Sequence, residues 1–547
     1  METRSVSIMT ENSEPTALEK AQAFLATAEH FRLGHLPTES QHPRTTRLSQ
    51  MASADLPAAI ELLKSVELEA LNCFKAQMPR IEELARDMKS VVASGGRIFF
   101  CGCGATGRLS LSLETLWREE VAKSERKDLQ ERVLSFMAGG DYALVKSIEN
   151  FEDRVDYGAK QLHDLGYKAG DILIGTSEGG ETPFVIAAVE EAAKISAVAN
   201  GRQPYFIYCN PTQLLAKTVE RSKNIIDNGS VKSFALETGP MAVSGSTRLQ
   251  ATTVLMLGAG AALFSVLQGS PQEKITEFIT VLNQTSLNGL SPLIARESEI
   301  YGKNEICVHV TTDYGMTLLT DTTERSPTFS LLAFENALEP RAALAWTYLV
   351  IDSAKNSEEA WTKILGRAPR PLDWPGFREK YGQENLKGFD FSPNTLKRRS
   401  ARVDAAHLHV YEIERTEKEI QISFDELAFS LPRPSSLLCE HLLLKCALNF
   451  SSTLLMGRLG RFRGNLMLYV RAANNKLIDR AIRYVQILLK DAGVQEFDYD
   501  EICRALFGVV ESLPTDQPAV LKTFEFLMGQ SHLAGRSAGR SESQTES

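Results

Sequence analysis

A glycine-rich turn between an apolar run and a helical pattern constrains the fold of this chain more than any other stretch. Residues 98–101, Ile-Phe-Phe-Cys, predict a buried parallel strand, and residues 109–116 predict a helix. Between the two lie the glycines Gly102, Gly104 and Gly107. Glycines let backbone N–H groups approach an anion closely, and the N-terminus of a helix attracts negative charge. The stretch therefore predicts a strand, loop and helix unit that either cradles a phosphate or only packs tightly.

Thr106 adds a hydroxyl donor to this turn, which favours the phosphate interpretation. The turn is not a P-loop, because no Gly-Lys-Ser/Thr follows, and its glycine spacing differs from that of a dinucleotide fingerprint. A second loop with hydroxyl groups and glycine, residues 176–183, follows another predicted strand. Residues 236–249 bring a third cluster of small donors to the head of a long apolar helix. Ligands bind at the carboxyl ends of strands in open α/β sheets. The alternation of strands and helices here predicts a doubly wound α/β domain.

A second, weaker copy of this pattern follows along the chain. A strand at residues 306–310 leads into residues 311–316, which stand where the first copy has its glycine turn but keep a single glycine. The copy therefore predicts the same architecture without a phosphate cradle. Residues 346–351 and 407–413 predict further strands, and the Pro- and Arg-rich segment 366–400 between them is interpreted as surface.

Composition excludes several function classes. The 547 residues carry a net charge of −9, which provides no general field for nucleic acid or an anionic membrane. Eight scattered cysteines show neither zinc spacing nor a disulfide framework, which indicates a reducing compartment. We expect a cytoplasmic protein, with the nucleus left open, because residues 1–30 contain no apolar signal segment. Residues 249–272 are uncharged and long enough to span a membrane, but their Thr, Ser and Gln residues favour a core helix.

Several short motifs occur together in a fixed order. They are Thr38-Glu39 with residues 44–48, Gly102-x-Gly-x-Thr-Gly-Arg108, Ala138-Gly-Gly-Asp141, Glu149 with Glu152-Asp153, Gly239-Pro240, Ser244-Gly-Ser-Thr-Arg248, Asn465-Leu-Met467 and Asn475-Lys-Leu-x-x-Arg480. In this order and spacing the chain resembles the sugar isomerase (SIS) family over most of residues 36–490. The resemblance is to the group that contains bacterial N-acetylmuramic acid 6-phosphate etherase and animal glucokinase regulatory protein. The double-domain length and residues 176–183 resemble the regulatory protein more than the etherase.

The resemblance implies an α/β fold with two doubly wound, flavodoxin-like SIS domains in tandem and a helical C-terminal region. We expect an N-terminal arm at 1–50, SIS domain 1 at 51–285, SIS domain 2 at 286–490, a small helical region at 491–530 and a disordered tail at 531–547. The two SIS domains are expected to pair as an internal pseudo-dimer.

The resemblance also implies a phosphosugar, held by its 6-phosphate, as the ligand, with no cofactor and no metal. The residues expected to bind it are Gly104, Ala105, Thr106, Gly107, Ser177, Glu178, Gly179, Glu181, Ser246, Thr247, Arg248, Lys476 and Arg480. Two of these, Glu178 and Glu181, bring negative charge to a loop that is expected to face phosphate. They must point at sugar hydroxyls or pair with a basic side chain, because uncompensated carboxylates weaken the binding of a dianion.

One glutamate separates the candidate activities. In the etherase, the helix after the glycine loop carries Asp-x-x-Glu followed by Pro-Thr-Phe, with that Glu proposed as the catalytic base. The first copy has Leu116 at this position and Glu114 on a different helical face, whereas the second copy keeps the motif at residues 321–329. If the two halves pair, Glu324 reaches the site built by the first loop and completes one site, not two. Glu149 is a second candidate acid, although a place on a surface helix accounts for it equally well.

Three functions are compatible with such a site. The leading hypothesis is a sugar-phosphate-responsive regulator, with a sugar kinase as its protein partner and Glu324 accepting hydrogen bonds from sugar hydroxyls. The alternative is an etherase-like lyase that removes lactate from an amino-sugar 6-phosphate, with Glu324 as the base. An aldose-ketose phosphosugar isomerase with similar acid and base residues is the third.

Overall fold

The computed structural model describes residues 15–148, 151–198, 201–403, 407–470, 472, 474–514 and 517–542. The chain forms two compact units. The larger is Gly34–Tyr469, and the smaller joins Met1–Leu33 to Val470–Ser547.

The elements alternate between helix and strand through the larger unit. The helices of the first half of the chain are α1 Ala17–Leu25, α2 Leu48–Ala54, α3 Leu56–Ala70, α4 Phe74–Ala93, α5 Gly104–Lys123, α6 Val155–Asp164, α7 Pro183–Val198, α8 Thr212–Thr218, α9 Glu220–Ile226, α10 Gln250–Phe264, α11 Pro271–Gln284 and α12 Leu290–Gly302. The later helices are α13 Gly315–Phe329, α14 Ser357–Leu365, α15 Arg378–Tyr381, α16 Gln383–Lys387, α17 Asn394–Ser400, α18 Leu437–Arg458, α19 Asn475–Asp491, α20 Tyr499–Ser512 and α21 Ala519–Glu542. The strands are β1 Ile98–Gly102, β2 Val133–Met137, β3 Ile172–Thr176, β4 Tyr205–Tyr208, β5 Lys232–Ala235, β6 Ile306–Thr311, β7 Thr347–Ile351, β8 Leu408–Arg415, β9 Glu419–Phe424, β10 Leu427–Pro432, β11 Phe462–Arg463 and β12 Leu466–Met467.

The first sheet is parallel throughout and has the order β2-β1-β3-β4-β5. All five residues of β1 and of β3 are buried, as expected for strands covered by helices on both faces. This is the flavodoxin-like order, in which the chain changes direction between β1 and β3. The glycine turn after β1 and the hydroxyl-rich loop after β3 therefore lie side by side at the carboxyl edge of the sheet. The predicted doubly wound α/β fold is confirmed for this half.

The second sheet keeps the same strand order but changes the direction of its last strands. Its order is β10-β9-β8-β6-β7, which matches the first sheet strand for strand when read from β7. Strands β7, β6 and β8 are parallel, whereas β8, β9 and β10 form an antiparallel meander. Only residues 416–418 join β8 to β9, which is too short for the crossover that a parallel pair needs. The second copy is thus a doubly wound half that ends in a meander.

Two apolar helices form the centre of the larger unit. All fifteen residues of α10 are buried, and so is α18 from Leu437 to Gly457. They pack on each other, and α10 also contacts α4 and α5 while α18 contacts α12 and α13. The expectation that residues 249–272 contain a core helix is confirmed. Across the described residues, every helix is too short or too polar to cross a membrane.

The Pro- and Arg-rich segment 366–400 is partly buried, so its interpretation as surface is wrong. Arg399 is fully buried, and it donates hydrogen bonds to the Glu335 carboxylate and the Ala345 carbonyl. Arg367 is also buried and pairs with carboxylates of the first half. A charged side chain can be buried when it is paired and hydrogen-bonded, and composition alone does not reveal such partners.

The polar segment after residue 36, which the sequence predicts as either an ordered arm or a linker, is ordered. Its backbone pairs with the loop at Met241, and Thr45 Oγ1 donates to the Ala242 carbonyl at 2.7 Å. Asn465 holds both segments. Its buried side-chain amide donates to the His42 carbonyl at 3.1 Å and to Thr45 Oγ1 at 2.9 Å, and its carbonyl accepts the N–H of Ser244 at 2.9 Å.

The smaller unit combines the N-terminal helix with the C-terminal ones. The rings of Phe24 and Phe507 are 6.5 Å apart, the Arg32 guanidinium lies over the ring of Tyr499, and the Tyr499 hydroxyl donates to Asp479 Oδ1 at 2.9 Å. Helix α19 belongs to this unit as well.

Replacing Asn465 with alanine tests its role in holding the arm. Asn465→Ala removes a buried amide and leaves the His42 carbonyl and Thr45 Oγ1 without this donor. Each unsatisfied buried group lowers the free energy of unfolding by about 1–3 kcal/mol. We expect a lower thermal unfolding midpoint. Asn394→Ala, at an exposed asparagine on α17, is the matched control and should leave the midpoint nearly unchanged. Equal midpoints for Asn465→Ala and the wild type would show that this amide is not needed.

Candidate functional site

The turn after β1 can be built only with glycine at two of its positions. A Cβ on Gly102 would lie 2.3 Å from the backbone of Thr106, and a Cβ on Gly107 would lie 2.5 Å from Cβ of Met137. Gly104 has a φ of +54°, in the left-handed region that favours glycine. Helix α5 begins at Gly104, and the first N–H groups of a helix have no intrahelical carbonyl to bond. The turn thus presents Gly104 and Ala105 at a positive helix end.

The Thr106 hydroxyl stabilises this turn from within. It accepts the Cys103 N–H at 3.0 Å and donates to the Cys103 carbonyl at 2.9 Å, while its side chain is buried. This arrangement caps α5, because it gives the Cys103 N–H, which has no partner within the helix, an acceptor. In this structure the backbone of the turn, more than the Thr106 hydroxyl, is available to an anion.

The loop after β3 is fixed by its own hydroxyls. Ser177 Oγ lies 3.0 Å from Thr182 Oγ1 and accepts the N–H of Gly180, also at 3.0 Å. Asn210 Nδ2 donates to the carbonyl of Gly179 at 2.9 Å and to Thr38 Oγ1 at 2.9 Å. The N-terminal arm therefore supports this loop directly.

The two glutamates of this loop differ in burial. Glu181 is buried, and its carbonyl accepts a hydrogen bond from the Arg221 guanidinium. Glu178 is half-buried, and its carbonyl accepts the N–H of Cys209 at 3.0 Å. Their backbones thus hold the loop in place, and the sugar-binding role of their carboxylates stays a prediction.

The loop at residues 236–249 places Arg248 against the second half of the chain. Ser246 is buried and bonded to Val243 through its N–H, and the Thr247 carbonyl accepts from Thr252. Arg248 Nη2 donates to Asp321 Oδ1 and, at 3.0 Å, to Ser452 Oγ. Arg248 Nε lies 3.6 Å from Glu324 Oε2. The structure therefore brings together Arg248 and Glu324, which the sequence places in different halves.

Glu324 is a buried carboxyl group near several positive charges. Burial raises the pKa of Glu324, and the positive charges of Arg248, Arg108 and Lys445 oppose that rise. Its side chain is buried on α13, one helical turn after Asp321. A carboxyl whose pKa is raised by burial exchanges a proton more readily near neutral pH, which suits a general base.

Two buried arginines face this carboxyl. Arg108 Nη2 donates to the carbonyls of Ala143 and Leu144, at 3.4 and 3.2 Å, and the charge of Glu324 acts on its pKa. Among the described residues, Arg108 Nε and Arg248 Nε and Nη1 are buried without a hydrogen-bond partner. Unbonded buried guanidinium groups are costly unless an anion or polar ligand takes their protons. The site is thus suited to a negatively charged molecule.

Asp321 holds Arg248 in place through a buried network. Its carboxylate accepts from Arg325 Nη2 at 2.9 Å, from Asn449 Nδ2 at 2.9 Å and from Ser452 Oγ at 2.8 Å. Arg325 in turn pairs with Glu297 at 2.7 Å. Sequence reasoning assigned no site role to Arg108, Asp321 or Lys445. The i,i+4 spacing of Asp321 and Arg325 was the available signal for the network.

Glu114 on α5 is held in the opposite state to Glu324. Burial alone would raise the pKa of Glu114, but Arg367, Arg370 and Arg118 lower it to about 2. Its carboxylate lies 3.1 Å from Arg367 Nε and accepts the Ser135 hydroxyl at 2.6 Å. A carboxylate held ionised by three arginines is a poor base, so Glu114 is not a candidate for the general base.

The place of the cradle in the second copy is occupied by side chains. The Tyr314 hydroxyl donates to Glu440 Oε1 at 2.8 Å, and Thr317 Oγ1 lies 2.7 Å from His441 Nδ1. Arg415 bonds Glu440 as well and reaches Glu119 of α5 at 2.7 Å. This internal ion network is in line with the predicted loss of the second cradle.

Three predicted residues are not placed at this site. Lys476 and Arg480 lie on α19, in the smaller unit. Glu149 lies outside the described residues. Their site roles stay predictions.

Comparison with known proteins identifies relatives of part of this chain. Residues 80–193 match the family described as "Glucokinase regulatory protein N-terminal SIS domain". The N-acetylmuramic acid 6-phosphate etherase of Nostoc sp. is 32% identical over 224 residues, which cover 41% of this chain and 65% of that protein, just under two thirds. The etherase of Francisella tularensis subsp. holarctica is 28% identical over 284 residues, 52% of this chain and 84% of that protein. The predicted resemblance to this SIS group is confirmed.

The matches among solved structures have lower identity, and their TM-scores are below 0.5. The C-terminal domain of glucosamine-fructose-6-phosphate aminotransferase from Francisella tularensis is 12% identical, with a TM-score of 0.37, over 72% of this chain and 94% of that one. Tagatose-6-phosphate ketose/aldose isomerase from Escherichia coli is 13% identical, with a TM-score of 0.32, over 57% and 68%.

Alanine at Gly102 tests the turn. Gly102→Ala forces a Cβ into the Thr106 backbone, so we expect a lower thermal midpoint and loss of any stabilisation by a sugar phosphate. Gly170→Ala is the matched control, since nothing lies within 4 Å of its added Cβ. An unaffected Gly102→Ala variant would show that the turn can relax.

The two glutamates should give opposite pH responses. Glu114→Gln leaves three arginines without their anion, so we expect a loss of roughly 3–5 kcal/mol at neutral pH. Because the folded pKa of Glu114 is lowered, this deficit should shrink as pH falls from 4.5 towards about 2. Burial raises the pKa of Glu324, so ionisation of this carboxyl destabilises the fold. As pH rises above 4.5, we therefore expect the unfolding midpoint of Glu324→Gln to increase relative to that of the wild type. Thermal unfolding over a pH series measures both, and parallel curves for the two variants would contradict the assignment.

Proposed function

We propose that this SIS-domain protein binds a sugar phosphate at the site formed by the glycine turn, Arg108, Arg248 and Glu324, and cleaves an ether bond of that sugar. The observation that carries the proposal is the buried Glu324 carboxyl, whose pKa burial raises and which lies 3.6 Å from an arginine of the other half. The relatives named N-acetylmuramic acid 6-phosphate etherase support this activity over the regulator that the sequence favoured.

The phosphate would bind at the start of α5. The backbone N–H groups of Gly104 and Ala105 and the positive end of the helix suit a dianion, and glycine at 102 and 107 keeps the turn tight. The sugar would then extend towards Arg248 and Glu324. This placement puts the phosphate on one half of the chain and the acid on the other.

The chemistry would be an elimination followed by hydration. In the open-chain aldehyde, Glu324 removes the proton from the carbon next to the carbonyl, and that electron pair forms a carbon–carbon double bond as the bond to the lactate oxygen breaks. A second acid protonates the departing oxygen, and Glu149 remains the candidate from sequence for this role. Water then adds across the double bond and returns a saturated sugar phosphate.

Arg108 and Arg248 would serve the transition state. Removal of the proton places negative charge on the carbonyl oxygen, and departing lactate carries a carboxylate. Fixed guanidinium groups in a buried site stabilise such charge without reorganising. Each of these two is already fixed by a hydrogen bond from its Nη2, Arg108 to the Leu144 carbonyl and Arg248 to Asp321 Oδ1.

A regulator without turnover is the second candidate. The match of residues 80–193 to the glucokinase regulatory protein domain favours it, and the ligand would bias a conformation that a sugar kinase partner reads. An aldose-ketose isomerase would use the same base but release no lactate.

The deciding experiment incubates the protein with N-acetylmuramic acid 6-phosphate and measures lactate. We expect release by the wild type and a loss of at least about 100-fold in Glu324→Gln, the typical contribution of a general base. A thermal shift with the same ligand should persist in the variant, because the glycine turn is unchanged.

Asp313→Asn, on the half-buried loop before α13, is the control substitution in the second half and should keep most of the activity. Ligand-induced stabilisation without lactate would overturn the lyase and leave the regulator. A chain that no hexose or amino-sugar phosphate stabilises would overturn phosphosugar binding itself.

A further inference from the structure

A cavity lies between the two halves of the larger unit. It has a volume of about 300 Å³ and is formed by the end of β2, by α6 and by residues 370–375 of the second half. Small-molecule sites often occur at such junctions and start at about this size. Neither the glycine turn nor Glu324 lines it.

The walls of this cavity are held by side chains of both halves. The Arg370 N–H donates to Asp141 Oδ2 at 2.6 Å, and the Arg370 guanidinium pairs with Glu114 at 2.9 Å. The Trp374 indole N–H donates to Asp164 Oδ2 at 2.6 Å, and its ring packs on that of Phe151. Residues 370–375 are therefore anchored at both ends, and the cavity is a fixed part of the fold.

The charges around the cavity are already balanced. Lys160 pairs with Asp164 at 3.1 Å, Asp141 pairs with Arg367 at 2.7 Å, and Arg370 pairs with Glu114. An ionised ligand would have to break one of these pairs. An uncharged ligand would not, so the cavity differs in chemistry from the arginine-rich site.

Gln161 supplies the polar group that a ligand would need. It lines the cavity, the residue is 7% exposed, and its Oε1 has no hydrogen-bond partner among the described residues. A buried acceptor without a partner is costly. Protein atoms cover Oε1 in this structure, so a ligand hydroxyl satisfies it once the Gln161 amide turns towards the cavity. Phe136 and Leu372 provide apolar surface on the same cavity.

One turn connects this cavity with the proposed phosphosugar site. Gly140 and Asp141 line the cavity, and the next residues, Ala143 and Leu144, accept the hydrogen bonds that hold Arg108. A molecule packed against Gly140 and Asp141 restrains the turn that positions Arg108. Occupation of the cavity therefore affects the position of Arg108.

We infer that this interdomain cavity is a second binding site, for a small uncharged molecule with several hydroxyl groups, such as an unphosphorylated sugar or cyclic polyol. Its hydroxyl donates to Gln161 Oε1, and its occupation changes the affinity of the phosphosugar site through residues 139–144. The change in affinity rests on the proposed function, whereas binding in the cavity does not.

Saturation-transfer difference NMR of the full chain with D-glucose and with myo-inositol, without any sugar phosphate, tests the site. We expect signals from at least one probe in the wild type, loss of them in Gln161→Leu, and retention in Gln272→Leu, an exposed glutamine on α11. Leu165→Trp, at a half-buried cavity residue, fills the space without removing a buried polar group and should also abolish the signals. Signals for neither probe, or signals that persist in both cavity variants, would overturn the site.

The coupling has its own measurement. We expect the bound probe to change the concentration of glucosamine 6-phosphate that half-saturates the thermal shift, and the change to vanish in Leu165→Trp. An unchanged half-saturation with the probe bound would overturn the coupling. Failure of lactate release would not affect the NMR result, so the two proposals fail separately.

Discussion

The contact of Arg248 with α13 is the interaction on which the composite site depends. A guanidinium from the first half lies buried against Asp321 and Glu324 of the second, and Arg325, Asn449 and Ser452 complete the network. Removing one partner of such a buried pair costs about 3–5 kcal/mol, because the other charge stays desolvated. The two halves therefore cannot separate cheaply, and the glycine turn and Glu324 keep a fixed relation.

Helices α5 and α13 show how environment divides one site between two related halves. Both carry a buried glutamate, yet Arg367, Arg370 and Arg118 lower the pKa of Glu114 while burial raises that of Glu324. The glycine turn precedes only α5, and the corresponding turn before α13 is filled by the bonds of Tyr314 and Arg415. In the proposed site, anion binding and acid-base chemistry therefore fall to different helices because of the neighbours of each glutamate, not because of the residue type alone.

Local patterns predicted the glycine turn, four of the five strands of the first sheet and the core helix α10. The resemblance to the etherase predicted that Glu324 meets the first half. Local patterns could not predict interactions between residues far apart in the chain. The partners of Glu114 lie 253 and 256 residues away, at Arg367 and Arg370, so a run of arginines was interpreted as surface. The meander after β8 was missed because apolar alternation gives strand positions but not strand direction.

The motif at residues 138–141 illustrates the same limit and connects the parts of the structure. Gly139 and Gly140 have φ values of +94° and +63°, which other residues rarely adopt, so the turn after β2 requires both. Asp141 then pairs with Arg367 of the second half, and the following carbonyls hold Arg108. In the sequence the motif was one of the pieces that carry the resemblance to the SIS family, and it had no assigned role. In the fold it joins the two halves, and the residues that follow it position Arg108, the arginine that faces Glu324.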